Sequence, residues 1–140
     1  MTPQKTSVTD FGKALGLLMR RVRAASDSND LSWTQIAVMS RLAVNGAATT
    51  ADLARAEGVK PQSMGTTIAQ LEEKGIVERE PHPTDGRQMN IELTAKGAAI
   101  RKNSKEKRWT WLEHAIAQLD TQDQETLFAA GGIIKRLVEF

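Results

Sequence analysis

Residues Thr49 to Thr94 read TTADLARAEGVKPQSMGTTIAQLEEKGIVEREPHPTDGRQMNIELT. The run resolves into two short helices, a tight turn and a two-stranded hairpin with a charged tip. Thr49 is suited to cap the first helix, and Asp52 places negative charge in its first turn. Leu53 and Ala54 take that helix's inward positions. Gly58 is the expected exit, because glycine enters the left-handed backbone of a helix end without steric cost. Pro61 fits the first turn of a second helix, where its missing N–H is not needed. Met64, Ile68 and Leu71 then follow at i, i+4 and i+7 as one apolar stripe.

The other face of this second helix carries Gln62, Ser63, Thr66, Thr67 and Gln70. A solvated helix face more often holds Glu and Lys. Amide and hydroxyl side chains can donate and accept at base edges and phosphates in a major groove. Gly65 leaves a gap on the same helix that permits close approach. The plain alternative is a polar surface helix with a packing glycine.

The segment that follows favours the first reading. Gly75 closes the helix, Ile76-Val77-Glu78-Arg79-Glu80 reads as a strand, and Pro81 and Pro83 end it. Thr84-Asp85-Gly86-Arg87 has turn chemistry. Met89-Asn90-Ile91-Glu92-Leu93 alternates apolar and polar, as a half-buried returning strand does. Helix, turn, helix and hairpin make a winged helix-turn-helix. Arg87 at the hairpin tip could enter a narrow minor groove, whose negative potential attracts a guanidinium. Asp85 could hold that guanidinium by a bidentate pair; the alternative is an exposed loop ion pair of little energetic consequence.

These motifs resemble the multiple-antibiotic-resistance regulator (MarR) family of bacterial repressors. The resemblance is carried by LEEKGIVERE, PTDGRQ and IELTAKG, that is by Leu71, Gly75, Ile76, Val77, Arg79, Asp85, Arg87, Leu93, Thr94 and Gly97. Upstream, Leu31-Ser32-Trp33-Thr34-Gln35 resembles the family's Leu-Thr-x-x-Gln helix opening. The likeness covers nearly the whole chain in the right order. It implies a mainly α fold with a small β-hairpin wing, and a homodimeric, ligand-responsive transcription regulator that binds double-stranded DNA. It also implies one domain over residues 1–140, with residues 31–94 as the DNA-binding lobe and residues 10–26 and 95–140 as N- and C-terminal dimerisation helices. The family's recognition positions often hold an arginine where Thr66 stands here, so base preference does not carry over.

Length and composition agree with such a domain. A chain of 140 residues, 40% hydrophobic and 26% charged, can build one core. No apolar run approaches the ~20 residues of a membrane span, and nothing at the N-terminus reads as a signal peptide, which fits a cytoplasmic protein. Without cysteine there is no disulfide frame, thiol switch or thiolate metal site. The net charge of +2 is unevenly spread. Residues 49–94 hold five basic and eight acidic groups, so the DNA-reading segment is formally acidic. Contact with phosphate must therefore come from placement: Lys60 at the start of the reading helix and Arg87 at the wing tip.

Outside the central run, residues 1–9 carry no periodicity and read as a frayed arm. From Asp10 a helix is expected, with Phe11, Leu15, Leu18 and Val22 in register, dissolving at Ser26-Asp27-Ser28-Asn29-Asp30. Ser32 and Gln35 form a capping box for the next helix, which stops at Asn45-Gly46. Ala47-Ala48 could form a very short strand beside the wing. A long helix runs from after Thr94 to about Leu119, polar all round at residues 101–108, as a connecting shaft would be. Thr121 and Gln124 form a further capping box opening a last helix, in which Gly131 and Gly132 cost roughly 1 kcal/mol each relative to alanine. Close helix–helix approach would explain them. The first and last helices offer more apolar surface than one winged domain can cover, and a second copy related by two-fold symmetry is the natural cover.

Enzymatic readings have little to stand on. His82 and His114 lack ligand-like neighbours and read as solvated imidazoles, so no metal is expected. There is no phosphate-binding loop, dinucleotide fingerprint or nucleophile motif, and no cofactor is implied. The family's effector pocket, between dimer helices and winged lobe, nominates Arg20, Trp33, Met39 and Trp109, although Trp and Met at helical spacing are commonly core. The reading that results is a ligand-responsive repressor on a palindromic operator. In it Thr49, Lys60, Gln62, Ser63, Thr66, Thr67, Gln70, Asp85 and Arg87 form the DNA interface. A winged helix used for protein interaction or assembly is the alternative.

Overall fold

A computed structural model describes residues 3–26 and 31–140. The elements in chain order are α1 (Pro3–Ala24), α2 (Trp33–Asn45), β1 (Ala48–Thr49), α3 (Thr50–Glu57), α4 (Pro61–Glu73), β2 (Val77–Pro81), β3 (Met89–Leu93), α5 (Ala95–Ala117) and α6 (Thr121–Val138). The chain divides into two compact units. One is residues 26–105; the other joins residues 1–25 to 106–140, the boundary falling inside α5.

In the first unit local chemistry sets the element ends. Ser32 Oγ accepts from Gln35 N at 3.1 Å and Gln35 Oε1 accepts from Ser32 N at 2.8 Å, so the capping box opens α2 as expected. Gly46, at φ 84°, closes α2. Thr49 Oγ1 accepts from Asp52 N at 3.1 Å to start α3, and Gly58 ends it in the left-handed region at φ 66°. Three residues later Pro61 occupies the first turn of α4. The short connection lets α3 and α4 pack as a helix-turn-helix.

The three strands form an antiparallel sheet in the order β1-β3-β2. Ala48 pairs with Ile91, and Val77 with Leu93. The short strand beside the wing therefore exists, one residue later than expected. Pro81, read as a terminator, is the last residue of β2 and pairs with Met89; a sheet edge tolerates its missing N–H. Leu31, Val38, Met39, Leu42, Leu53, Met64, Ile68, Leu71, Ile76, Val77 and Ile91 close into one core beneath helices and sheet.

The Leu93-Thr94-x-x-Gly97 exit has a direct physical cause. Thr94 Oγ1 donates to the carbonyl of Gly75 at 2.6 Å and accepts from Gly97 N at 2.9 Å, capping α5 against the end of α4. A Cβ at Gly97 would lie 2.2 Å from the Ile76 carbonyl oxygen. Only glycine fits there.

Outside the winged core the structure departs from the sequence expectations in several places. Helix α1 begins at Pro3, not Asp10, so residues 3–9 are helical and not a frayed arm. The break expected over Ser26–Asp30 lies, from Asp27 onward, outside the described residues. Ser104 and Arg108 of α5 are buried, so the 101–108 segment is not polar and solvated all round. Helix α6 is capped by Asp120, whose Oδ1 accepts from Asp123 N at 2.8 Å, not by Thr121. Within the second unit, Arg21 stacks its guanidinium 4.5 Å from the centre of the Trp111 ring. No residue of α6 is buried. Cβ atoms added at Gly131 and Gly132 would meet nothing within 4 Å, so the close approach expected there is not made among the described residues.

Candidate nucleic-acid interface

Met64, Ile68 and Leu71 lock one side of α4 into the core, and that anchoring turns the other side out. Gln62, Ser63 and Thr66 are exposed on it, with Thr67 half-buried. Gly65 has open space over its Cα. No side chain caps the start of α4, where exposed Lys60 is the N-cap residue. From Gln62 to Thr67 the face is therefore uncharged, hydrogen-bonding and accessible, with Glu73 exposed at its far end.

Two residues nominated for this surface are drawn elsewhere. Thr49 is 7% exposed, and its hydroxyl serves the α3 cap within the sheet; it is a structural cap and not a surface contact. Gln70 shares the outward face, but its Oε1 accepts from Gln35 Nε2 at 3.0 Å. That bond ties α4 to the capping box of α2 and holds the Gln70 amide by its oxygen, which keeps one lone pair beside the two amide hydrogens. Glu72, beside it, pairs with Arg79 of β2 at 3.1 Å, joining the end of α4 to the wing.

At the wing tip the structure revises the role of Asp85. Its Oδ1 accepts from the backbone N–H of Arg87 at 3.1 Å, and its Oδ2 accepts from Gln88 Nε2 at 3.3 Å. The contact to the guanidinium is a single long one, 3.4 Å from Arg87 Nε, not a bidentate pair. Asp85 shapes the turn, as aspartate does by bonding backbone two residues on, while the Arg87 side chain stands 93% exposed.

His82, read from sequence as a solvated imidazole, also builds the tip. Its Nδ1 accepts from Thr84 N at 3.2 Å and Asp85 N at 3.1 Å, which requires the proton on Nε2. The signal was its position: an acceptor two and three residues before turn amides, where Asp or Asn commonly stands. On the sheet, Glu78, Glu80 and Glu92 bring carboxylate oxygens within 4.8 Å of one another. They stand on one face because Glu78 pairs with Glu92 in register, an acidic grouping that residue-by-residue reading did not assemble.

The residues nominated for an effector pocket fall in different settings. Met39 is core, at 2% exposure. Trp33 is half-buried in the first turn of α2, and Arg20 is exposed on α1. Trp109 lines an apolar groove of about 400 Å³ with Leu112, Ile116 and Phe128. Among the described residues no helix is long and apolar enough to cross a membrane.

Helix-turn-helix, three-stranded sheet and hairpin make a winged helix-turn-helix fold. The MarR family model matches residues 31–89. The chain is 34% identical over 131 residues to the HTH-type transcriptional regulator MT0903.1 of Mycobacterium tuberculosis, covering 94% of this chain and 92% of that one. It is 32% identical over 91 residues to the HTH-type transcriptional repressor Rv2887 of the same organism, covering 64% and 66%. The crystal structure of RV1404, also from M. tuberculosis, superposes with a TM-score of 0.84 at 21% identity, covering 99% and 96%. The chain belongs to the MarR family of transcriptional regulators.

Proposed function

We propose that the protein is a homodimeric repressor that reads a palindromic duplex site with α4 and its wing. The observation that carries this reading is the outward face of α4. A helix pinned by Met64, Ile68 and Leu71 presents Gln62, Ser63, Thr66 and Thr67 with no charged side chain among them, the chemistry that meets base edges. Lys60 contacts phosphate at the helix start, and Arg87 probes the adjacent minor groove. Thr49 drops out of the interface, Asp85 acts through the shape of the wing turn, and Gln70 is held at the edge of the interface by Gln35.

The second copy is supported by what one chain leaves uncovered. Phe11 and Leu17 of α1, with Leu127, Phe128, Ile133 and Leu137 of α6, are all exposed, an apolar surface of the kind that marks an interaction site. Two-fold pairing would put the half-site centres about one helical turn, roughly 34 Å, apart. Response to a small molecule belongs to the same proposal. The Trp109 groove offers it apolar walls, while Met39, closed into the core, is withdrawn from the lining.

Selection from a random duplex library, followed by titration of the enriched sequence at moderate salt, tests the reading. The expected result is saturable binding to a site with two-fold symmetry. Enrichment of no sequence, with binding that only tracks salt, would replace it with a winged helix used for protein interaction.

A further inference from the structure

The hydrogen bonds along α4 settle what each side chain on the outward face still has to offer. Thr66 Oγ1 donates to the Gln62 carbonyl at 3.3 Å, and Thr67 Oγ1 donates to the Ser63 carbonyl at 3.2 Å. A hydroxyl has one hydrogen. Both threonines have spent theirs on their own helix, and each keeps an acceptor lone pair and a methyl group. Gln70 has its carbonyl oxygen engaged by Gln35. The amide of Gln62, near the helix start, is the full donor–acceptor pair left on the face, with the Ser63 hydroxyl beside it.

Which bases can this set recognise? Guanine is read through O6 and N7 by arginine or lysine, and cytosine through its N4 amine by a carboxylate. No arginine or lysine stands on the face, since Lys60 precedes the helix and Arg55 of α3 is paired with Asp52; its one carboxylate, Glu73, is the last residue of α4, three turns beyond Gln62 and away from the helix start that enters the groove. Adenine presents N7 and N6 to a bidentate amide, and thymine presents a C5 methyl to apolar groups such as a threonine methyl. We infer that the base pairs met by α4 in each half-site are A·T pairs. Gln62 takes adenine in a bidentate contact, and the methyls of Thr66 and Thr67 pack on thymine methyls. The inference rests on the proposed DNA reading and adds to it the identity of the bases.

Duplexes with single-atom or single-methyl changes test this without disturbing the protein. In the selected half-site, 7-deaza-adenine removes N7 alone, and uracil in place of thymine removes the C5 methyl alone. Wild-type protein should lose roughly 5- to 150-fold in affinity with 7-deaza-adenine opposite Gln62. It should lose on the order of fourfold for each uracil facing a threonine methyl. Gln62→Ala should erase the sensitivity to 7-deaza-adenine. Thr66→Ser, which keeps the hydroxyl and drops the methyl, should erase the sensitivity to one uracil while circular dichroism reports an unchanged fold. A selected site with G·C pairs under α4, or specific binding indifferent to both base analogues, would overturn the A·T assignment and leave the regulator reading standing. Loss of all specific binding by the wild type would sink both.

Discussion

The lobe of residues 26–105 and the unit built from α1, the end of α5 and α6 bury apolar surface by different means. Among the described residues every buried hydrophobic side chain except Val22 lies in the lobe, where three helices and a small sheet close on one another. In the other unit α6 buries nothing, and Phe128 is 63% exposed. The lobe is complete as one chain. The terminal helices leave large apolar side chains exposed, among them Leu17 and Ile133, the surface that the proposed second copy would cover. In the proposed dimer, a lobe that closes its own core would let assembly change without unfolding it.

The largest expected effect tests the lobe's independence. Ile68→Ala removes a fully buried side chain from beneath the reading face and should cost about 2–5 kcal/mol in urea unfolding. Its cost should not vary with protein concentration. The melting of the wild-type terminal helices, in contrast, should shift upward with concentration, because association adds free energy by mass action. Phe128→Ala should lower the midpoint of self-association in sedimentation while leaving the lobe's transition in place. A monomeric wild type would break the comparison.

Two glycines sharpen it. Gly97→Ala drives a Cβ into the Ile76 carbonyl and should cost about 1–3 kcal/mol, as overpacking does. Gly131→Ala meets open space within the chain and should gain up to about 1 kcal/mol of helix propensity in the dissociated protein. If a second copy packs over Gly131, the same change weakens dimerisation, which sedimentation reads directly. At the wing, Arg87→Ala should weaken operator binding by about 1–3 kcal/mol with no change in melting, since that side chain stands 93% exposed.

The lobe was also the more legible of the two regions. Ser32, Thr49, Gly58, Pro61 and Gly75 act on backbone within a few residues of themselves, so their roles could be read in one dimension. Asp85, His82 and Gln70 were misjudged because their partners depend on how the hairpin and α2 fold back: Gln35 is thirty-five residues from Gln70. For the same reason the carboxylates of Glu78 and Glu92 meet only once the strand register is known. In the terminal unit, periodicity found the helices but missed the start of α1, since residues 3–9 carry no apolar stripe of their own. The cap of α6 was missed by one residue, Asp120 for Thr121, an error within the usual fraying of helix ends.

The smallest effect expected concerns that acidic face. Glu78 and Glu92 stand directly opposite on neighbouring strands, with Glu80 completing the group, and like charges in that relation oppose pairing. Glu92→Gln keeps the shape and hydrogen bonding of the side chain while removing one of the three charges. It should raise the stability of the lobe by about 0.2–1 kcal/mol at low salt, a gain that fades as salt screens the repulsion between Glu92 and its neighbours in the wild type. Glu125→Gln, on the exposed surface of α6 and outside any such group, should stay within about 0.5 kcal/mol of the wild type at any salt. If both substitutions move stability equally, the effect belongs to net charge and not to strand register, and the wing's acidic face has no energetic identity of its own.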